Sequence, residues 1–278
     1  MGFNDITVYV DGAEATEARV AFAVALAKEH GAHLIGVAFA PTALLPLYGA
    51  DVGLADMTEV LQSVKTQSAR ALEAFKLSAK SEGVSAEARL MQGMSEQFPH
   101  DFAYAARHAD LAILGQPRHG DPLIGQYALV ERCLFASGRP VMIVPAAPGK
   151  LALKGTVVAA WDGSAEAARA INDALIFLKQ AKRVVLLVAV ISEDGKEQSA
   201  PTHDMIAHLD RHGVRAETVQ AKASGGDVGR LLLTTARALG ADLMVMGAFH
   251  HSRWRESILG GVTLTVLEEA AIPLFMAH

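Results

Sequence analysis

Hydrophobic and polar positions fall into blocks along this chain, and the blocks predict strands and helices in regular alternation. Some strand segments are apolar at nearly every position, and residues 184–191 are the longest such run. A strand without polar alternation is covered on both faces, which is typical of a parallel sheet between two layers of helices. Segments with apolar residues at helical spacing, such as 14–30 and 58–81, follow the strands. The pattern therefore predicts an α/β fold.

The same order of elements occurs in each half of the chain. In the first half we expect strands and helices in alternation, at residues 5–10, 14–30, 33–39, 58–81, 83–91, 95–108, 111–114, 128–136 and 141–144. In the second half we expect the same order at residues 156–160, 165–180, 183–190, 204–212, 214–220, 228–239, 243–246, 257–270 and 274–276.

Similar sequences in the two halves support this repeat. Residues 109–115 read ADLAILG and residues 241–247 read ADLMVMG, and Asp11 and Gly12 return as Asp162 and Gly163. A repeat of this length predicts two similar domains. We expect domains at 1–148 and 149–278, each doubly wound with a five-stranded parallel sheet flanked by helices. Such a sheet binds ligands beyond the carboxyl ends of its strands.

Composition argues against several classes of protein. Hydrophobic residues make up 51% of the chain and charged residues 20%, as in globular proteins. The net charge is −5, with 11 Lys and Arg against 16 Asp and Glu in residues 1–148 and 14 against 14 in the rest. Without a basic footprint, nucleic acid is not an expected partner. The chain has a single cysteine, Cys133, and no leader, which predicts a cytoplasmic protein. It has no run of about 18–20 apolar residues, so membrane insertion is not expected.

The connection after the fourth strand of the second half has the composition of an anion site. Residues 247–263 begin with Gly247, include two arginines and enter a helix through Gly260 and Gly261. Glycine amides and the positive end of a helix offer N–H groups to a phosphate. The alternative is an ordinary connection whose glycines relieve crowding, and composition alone does not decide between the two.

At these residues the chain resembles the universal stress protein family, in the tandem form with two domains, over essentially its whole length. The family's nucleotide motif runs G-x2-G-x9-G-[S/T]. Gly247 takes its first position and Gly260 its third, and Val262 and Thr263 continue in the style of the family. The resemblance implies a Rossmann-like fold similar to that of adenine nucleotide α-hydrolases. It also implies ATP, AMP or ADP as the ligand.

Two positions depart from the motif. His250 stands where the second glycine belongs, and Gly261 stands where the motif has a hydroxyl residue. Losing a hydroxyl contact to a charged phosphate costs about 1.5–3 kcal/mol, which is roughly ten- to a hundredfold in affinity. If the backbone at 250 has φ > 0, a residue other than glycine adds about 1–2 kcal/mol of strain. We therefore expect weakened nucleotide binding in the second domain.

The resemblance also implies two contacts to the nucleoside. Asp162, the acid after the first strand, would contact adenine or ribose, and Val190, at the end of the second strand, would pack on the base. A carboxylate accepts hydrogen bonds from hydroxyl groups, and an apolar strand end offers a surface to a purine. The alternatives are a helix N-terminal acid near Ser164 for Asp162 and a core residue for Val190.

The first half departs further from the motif. Arg118 stands where the second glycine belongs, and Ala128 stands where the third belongs. We expect Arg118, His119 and Asp121 to form a solvated turn. Asp11 remains, but alone it is not expected to bind a nucleotide. The sequence thus predicts an asymmetric protein, with one half that binds nucleotide and one that has a structural or regulatory role.

Two further signals are weaker. Residues 224–227, Ser-Gly-Gly-Asp, resemble the pyrophosphatase loop of ATP-adenylating enzymes, but their place after a third strand favours a helix N-cap at Asp227. His208 and His212 share one helix face, but no cysteine or well-spaced carboxylate completes a metal site, so a solvated surface is favoured. No catalytic or metal-binding residue is therefore expected.

Two features bear on assembly. The apolar loop at 44–48 is a lid, an interface or a segment buried against its own helix. The family pairs its domains through the edge of the fifth strand. Residues 141–144 and 274–276 are therefore expected to pair within one chain as a pseudo-dimer, with a homodimer as a further form.

Two functions remain open. The first is a cytoplasmic stress-response protein whose second domain binds ATP or a related adenine nucleotide. The second is a nucleotide-free module that dimerises or docks partners. No residue is visibly placed to activate water, so the protein is not expected to be an enzyme, although slow ATP hydrolysis stays open.

Overall fold

The computed structural model of the chain describes residues 2–13, 15–43, 54–117, 125–146, 153–193, 196–223, 227–249 and 261–278. Contacts between residues divide the chain into two units, Met1–Ala147 and Pro148–His278. Residues 147–152 lie outside the described parts, so the domain boundary at 148/149 stays a prediction.

The first unit alternates strands with helices, as its blocks of apolar positions predict. Its elements in chain order are β1 (Asp5–Tyr9), α1 (Thr16–His30), β2 (His33–Ala43), α2 (Leu54–Ser81), β3 (Ala86–Met94), α3 (Phe98–Ala106), β4 (Leu111–Gly115), α4 (Gln126–Ala136) and β5 (Val141–Val144). All the strand pairs are parallel, in the order β3-β2-β1-β4-β5. The winding reverses between β1 and β4, which makes this sheet doubly wound.

The second unit repeats this order with one addition. Its elements are β6 (Thr156–Ala160), α5 (Ala165–Asp173), α6 (Leu175–Leu178), β7 (Arg183–Glu193), β8 (Lys196–Gln198), α7 (His203–Arg211), β9 (Ala216–Ala223), α8 (Val228–Ala238), β10 (Ala241–Gly247), α9 (Gly261–Glu269) and β11 (Leu274–Ala277). The parallel strands follow the order β9-β7-β6-β10-β11. The winding reverses between β6 and β10.

The central strands are buried on both faces because they are apolar at nearly every position. In β4 the side chains from Leu111 to Leu114 have no solvent exposure, and in β7 those of Val185, Leu186 and Leu187 have none. Burial of this kind requires helices on both sides of each sheet. The predicted α/β class, with two doubly wound parallel sheets, is confirmed.

The second unit differs from the prediction in three elements. The helix expected at 165–180 is two helices, because Phe177 N donates to Ala174 O, three residues back, and the turn there is tighter than an α-helix. The strand expected to end at Val190 continues to Glu193. Its last residues pair in antiparallel fashion with β8, which the sequence did not indicate.

Helix ends follow the chemistry read from the sequence. Asp227 is the N-cap of α8, and its Oδ1 accepts a hydrogen bond from Gly229 N at 2.7 Å, so this prediction is confirmed. Gly31 ends α1 in the left-handed region with φ 65°. Among the described residues, no helix combines the length and the apolar character needed to cross a membrane.

Candidate functional site

The candidate site lies at the carboxyl edge of the second unit's sheet, where the winding reverses. β6 has β7 on one side and β10 on the other, and Ala159 in β6 is level with Val245 in β10. Because the strands are parallel, Asp162 after β6 and Gly247 at the end of β10 emerge at the same edge. The first turn of α9 begins at this edge as well, since it follows β10. An open α/β sheet binds its ligands here.

Asp162 is an exposed residue with one carboxylate oxygen bonded to the protein. Its Oδ1 accepts from Ser164 N at 2.9 Å, and the residue is exposed. Ser164 is the N-cap of α5, and its Oγ accepts from Ala167 N at 3.0 Å. Within the described residues, Asp162 Oδ2 accepts no hydrogen bond. Asp162 therefore bonds to the N-cap residue of α5, as the helix N-terminal alternative expects, and its second oxygen is an acceptor for a ligand.

Val190 does not end its strand, because β7 runs three residues further. Its side chain is only 4% exposed, and it pairs with Lys222 in β9. A side chain this buried offers little surface to a purine, so the structure favours the core interpretation. Contact between Val190 and a base stays a prediction.

Trp161 is a site residue that the sequence reasoning missed. It is half-buried, directly before Asp162, and its Nε1 donates to Pro201 O at 2.9 Å. This bond fixes the loop after β6 to the segment before α7. A signal was present, since a tryptophan directly before a site acid puts a large aromatic ring at the edge of the sheet.

Gly247 is a glycine because α5 packs directly on its backbone. A Cβ at this position would lie 2.5 Å from Ala167 N and 2.6 Å from Glu166 C. The glycine therefore relieves crowding, as the ordinary interpretation of this connection expects. The same contact brings the first turn of α5 against the end of β10.

The chain leaves β10 through a strained residue held by Thr263. Phe249 has φ 61°, a conformation that costs a residue other than glycine about 1–2 kcal/mol. Its backbone N–H donates to Thr263 Oγ1 at 3.4 Å, and Thr263 is 5% exposed. The hydroxyl of Thr263 thus holds the start of the loop. The predicted site residues His250 and Gly260 lie outside the described residues.

Gly261 is the first residue of α9 and is exposed. No atom of the described residues lies within 4 Å of a Cβ built on it. The first amides of a helix lack intrahelical acceptors, so the N–H groups of Gly261, Val262 and Thr263 are suited to an anion. The structure gives no steric reason for the missing hydroxyl residue at 261.

Helix α8 supports the first turns of α9. Asp227 Oδ2 accepts from Thr265 Oγ1 at 2.7 Å, and a Cβ on Gly229 would lie 2.8 Å from Thr265 Cβ. The Thr265 hydroxyl, together with the backbone N–H groups of Gly229 and Arg230, holds the pKa of the Asp227 carboxyl below its usual value of 3.8. Residues 224–226 of the weak pyrophosphatase signal lie outside the described parts.

The equivalent acid of the first unit is occupied by the protein itself. Asp11 Oδ2 pairs with Arg19 Nη2 at 2.9 Å, and Oδ1 accepts from Thr16 Oγ1 and from Ala13 N. Arg19 is 3% exposed, and its Nε donates to Tyr9 O at 2.7 Å. Both carboxylate oxygens of Asp11 therefore have partners among the described residues, unlike those of Asp162.

Arg19 also fills the edge of the first sheet. Its Nη1 lies where a Cβ on Gly115 would be, so the guanidinium rests on the end of β4. The repeat places Ala170, which is fully buried, at the equivalent position of the second unit. The sequence reasoning missed Arg19, although a lone arginine among alanine and valine in α1 was a signal. Arg118, His119 and Asp121 lie outside the described residues.

The remaining candidates do not form a site of known chemistry. His208 and His212 share one helix face with ring centroids 4.6 Å apart, and His208 Nε2 is 2.9 Å from Asn172 Oδ1. Across the parts of the chain that the structure describes, no group of three or more His, Cys, Asp and Glu residues is placed to hold a metal ion. Burial raises the pKa of the Cys133 thiol far above its usual range, which makes it a poor nucleophile.

Comparison with known proteins identifies the second unit. Residues 155–278 match the model of the universal stress protein family. No curated protein is similar enough in sequence to match the chain. The crystal structure of a universal stress protein from Archaeoglobus fulgidus DSM 4304 has a TM-score of 0.73 at 17% identity, with 99% of this chain and 96% of that chain covered.

Two other solved structures are similar. That of a functionally unknown protein from Pseudomonas aeruginosa PAO1 has a TM-score of 0.57 at 14% identity, with 99% of this chain and 92% of that chain covered. A universal stress protein in complex with cAMP has a TM-score of 0.36 at 19% identity, with 52% of this chain and 99% of that chain covered. The likenesses with a TM-score above 0.5 show the fold alone, and the third carries no argument about this chain.

Proposed function

Since residues 155–278 match the model of the universal stress protein family, we propose that this protein is a stress-response regulator whose second unit binds ATP or a related adenine nucleotide, AMP or ADP. The observation that carries the proposal is the contrast between the two acids. Asp162 is exposed, and its second carboxylate oxygen has no hydrogen bond from the part of the chain that the structure describes, whereas Asp11 is paired with a buried arginine.

The electrostatics of the second half agree with an anionic ligand. Residues 149–278 carry 14 basic and 14 acidic residues, whereas the first half has an acidic excess. The N-terminus of α9 adds a partial positive charge near the end of β10. A phosphate at Gly261, Val262 and Thr263 and a nucleoside near Asp162 would then occupy one continuous edge of the sheet.

We propose that binding is weaker than a complete motif would give. Gly261 supplies an N–H but no hydroxyl, which removes about 1.5–3 kcal/mol of contact with a charged phosphate. His250 replaces the second glycine of the motif in the sequence. Val190 would contribute to the base contact only if β7 shifts to expose it.

We assign no catalytic residue. The only enzymatic activity compatible with the proposal is slow ATP hydrolysis. It places the protein in the cytoplasm, as the single cysteine suggests. A pseudo-dimer within the chain and a homodimer remain parts of the proposal.

A second candidate function, a nucleotide-free interaction module, is favoured for the first unit. The observation behind it is Arg19, which takes up both the acid and the space at the edge of that sheet. We therefore propose one nucleotide for each chain, bound by the second unit only.

Isothermal titration with ATP tests the proposal, with a matched pair of variants. Asp162→Asn keeps the hydrogen bond to Ser164 N but removes the charge, and it is expected to weaken ATP binding about tenfold. Asp11→Asn is expected to leave ATP affinity unchanged. No heat at millimolar ATP, together with no nucleotide detected by mass spectrometry of the denatured protein, would leave the interaction module as the function.

A further inference from the structure

Two aromatic side chains stand exposed on neighbouring helices of the first unit. Tyr104 in α3 is 61% exposed and Phe135 in α4 is 47% exposed. Large exposed aromatic side chains are enriched where proteins bind other proteins. Three basic residues accompany them, and we call the whole set the α3–α4 patch: Tyr104, Arg107, His108, Phe135 and Arg139.

Ring contacts hold Tyr104 in place on the surface. The guanidinium of Arg107 lies over its ring, with Cζ 5.3 Å from the centroid, and the His108 ring meets it edge-on at 5.7 Å. A cation over an aromatic face is attracted by the ring's quadrupole. The ring is therefore already ordered, which reduces the entropy lost when a partner packs on it.

Two arginines of the patch are fixed by their Nε atoms. Arg107 Nε donates to Ala136 O at 2.9 Å, at the end of α4, and Arg139 Nε donates to Arg107 O at 3.2 Å, at the end of α3. Each bond satisfies a carbonyl that the helix leaves without a partner. The terminal Nη groups of both arginines are left for another acceptor.

Neither of these arginines has a carboxylate partner within the described residues. Elsewhere on the protein, Arg183 and Arg230 are paired with Glu217 and Glu269. A planar guanidinium fork that is held in position and lacks a carboxylate is suited to a bidentate contact with one. The patch therefore favours an acidic partner.

The second unit lacks both aromatic residues of the patch. When the buried positions of α3 are aligned with those of α8, Thr234 stands where α3 has Tyr104. In the same way, Glu268 in α9 stands where α4 has Phe135. The fold itself thus does not require aromatic residues at these positions.

We propose that the α3–α4 patch docks an acidic segment of a partner protein. Carboxylates of the segment pair with Arg107 and Arg139, and an apolar side chain of the segment packs on Tyr104 and Phe135. A second copy of the chain fits less well, because a symmetric contact would bring like charges of the two patches together. This surface shares no residue with the proposed nucleotide site.

Peptide selection tests the proposal. Random dodecapeptides displayed on phage are selected on the immobilised full chain, and the most enriched peptide is synthesised with a fluorescein label. We expect it to be rich in Asp and Glu and to contain an aromatic or aliphatic residue. Its Kd, measured by fluorescence polarisation, is expected to rise between about 50 and about 300 mM NaCl, because salt screens exposed charges.

Variants at exposed positions locate the binding. Tyr104→Thr, which introduces the residue of the second unit, is expected to weaken peptide binding at least about tenfold. Phe135→Glu is expected to weaken it more than Phe135→Gln at low salt, because only the glutamate repels an acidic peptide. Leu77→Thr is the matched control, since Leu77 is 68% exposed on α2 and is expected to have no effect.

Several outcomes would overturn the proposal. They are a failure to enrich any peptide, enriched peptides without an acidic excess, or equal affinity for the wild type and Tyr104→Thr. Sedimentation equilibrium tests whether a second copy of the chain binds the patch. A dimer that Tyr104→Thr abolishes would assign the patch to a second copy of the chain instead.

Discussion

Replacing Gly261 with serine introduces a hydroxyl where the family's nucleotide motif has one, and it tests the proposed nucleotide site. The substitution is compatible with the described part of the structure, because no atom of it lies within 4 Å of a Cβ at this position and the backbone there is not left-handed. Gly261 is also exposed at the first position of α9, so the new hydroxyl meets no buried group.

The expected gain follows from one hydrogen bond to a charged group. A bond from a hydroxyl to phosphate contributes about 1.5–3 kcal/mol, which corresponds to roughly ten- to a hundredfold tighter ATP binding. Serine also stabilises the helix relative to glycine by about 0.5 kcal/mol. The variant is therefore expected to bind ATP more tightly without loss of stability.

Two controls separate the hydroxyl from other effects. Gly261→Ala gains helix propensity without a hydroxyl, and adenosine is a ligand without phosphate. Isothermal titration is expected to show that serine, but not alanine, tightens ATP binding, while all three proteins bind adenosine equally. If alanine tightens ATP binding as much as serine does, or if adenosine gains equally, the amide and hydroxyl cradle is the wrong description of this edge.

Three further changes test the packing described above. Arg19→Met leaves Asp11 without its buried partner and is expected to destabilise the first unit by about 3 kcal/mol in urea denaturation; a change below about 1 kcal/mol would contradict the role given to the pair. Gly247→Ala is expected to cost about 1–3 kcal/mol through overpacking, whereas Gly93→Ala, with nothing within 4 Å, is expected to cost little. Asp227 has a lowered pKa in the folded protein, so its contribution to stability is present above its unfolded pKa and is lost as pH falls through the folded value. The difference between the wild type and Asp227→Asn should therefore fade below about pH 4, and a difference that persists at lower pH would refute this assignment.

Much of the fold was predictable because runs of apolar residues indicate which strands are buried. Residues 184–191 of β7 and the segments at β4 and β10 are apolar at nearly every position. Such strands lie in the centre of a sheet that helices cover on both faces. Asp227 was predictable as well, since a capping residue acts on its own helix. Local chemistry and regular periodicity thus led to the correct elements.

The elements that were missed depend on contacts distant in the chain. Ala174 is a good helix former, and the break there accompanies complete burial of its side chain, which no local pattern indicates. β8 consists of polar residues 196–198 and exists through its pairing with the end of β7. The close approach of α5 to Gly247 is likewise a tertiary contact.

The candidate site was only partly predictable for the same reason. The motif indicated Asp162 and Gly261, but it did not indicate that Val190 would be buried or that β7 would continue past it. The three hydrogen-bonding or ion-pair partners of Arg19, which are Tyr9, Asp11 and Thr16, are close in sequence, but its place at the edge of the sheet depends on Gly115, which is distant in the chain. A helical pattern treats such an arginine as a misplaced surface residue.

Arg19 has a consequence for how the protein would respond to metabolite levels. Arg19 is covalently part of the chain whose sheet edge it occupies, so its local concentration there does not change. That edge is therefore occupied under every cellular condition. Among the described residues, no such tethered group occupies Asp162 Oδ2, and under the proposed function the occupancy of this edge would follow the surrounding pool of nucleotide. The occupancy of the first unit's edge is then constant. Any change in nucleotide level that the protein senses through these edges must be sensed by the second unit.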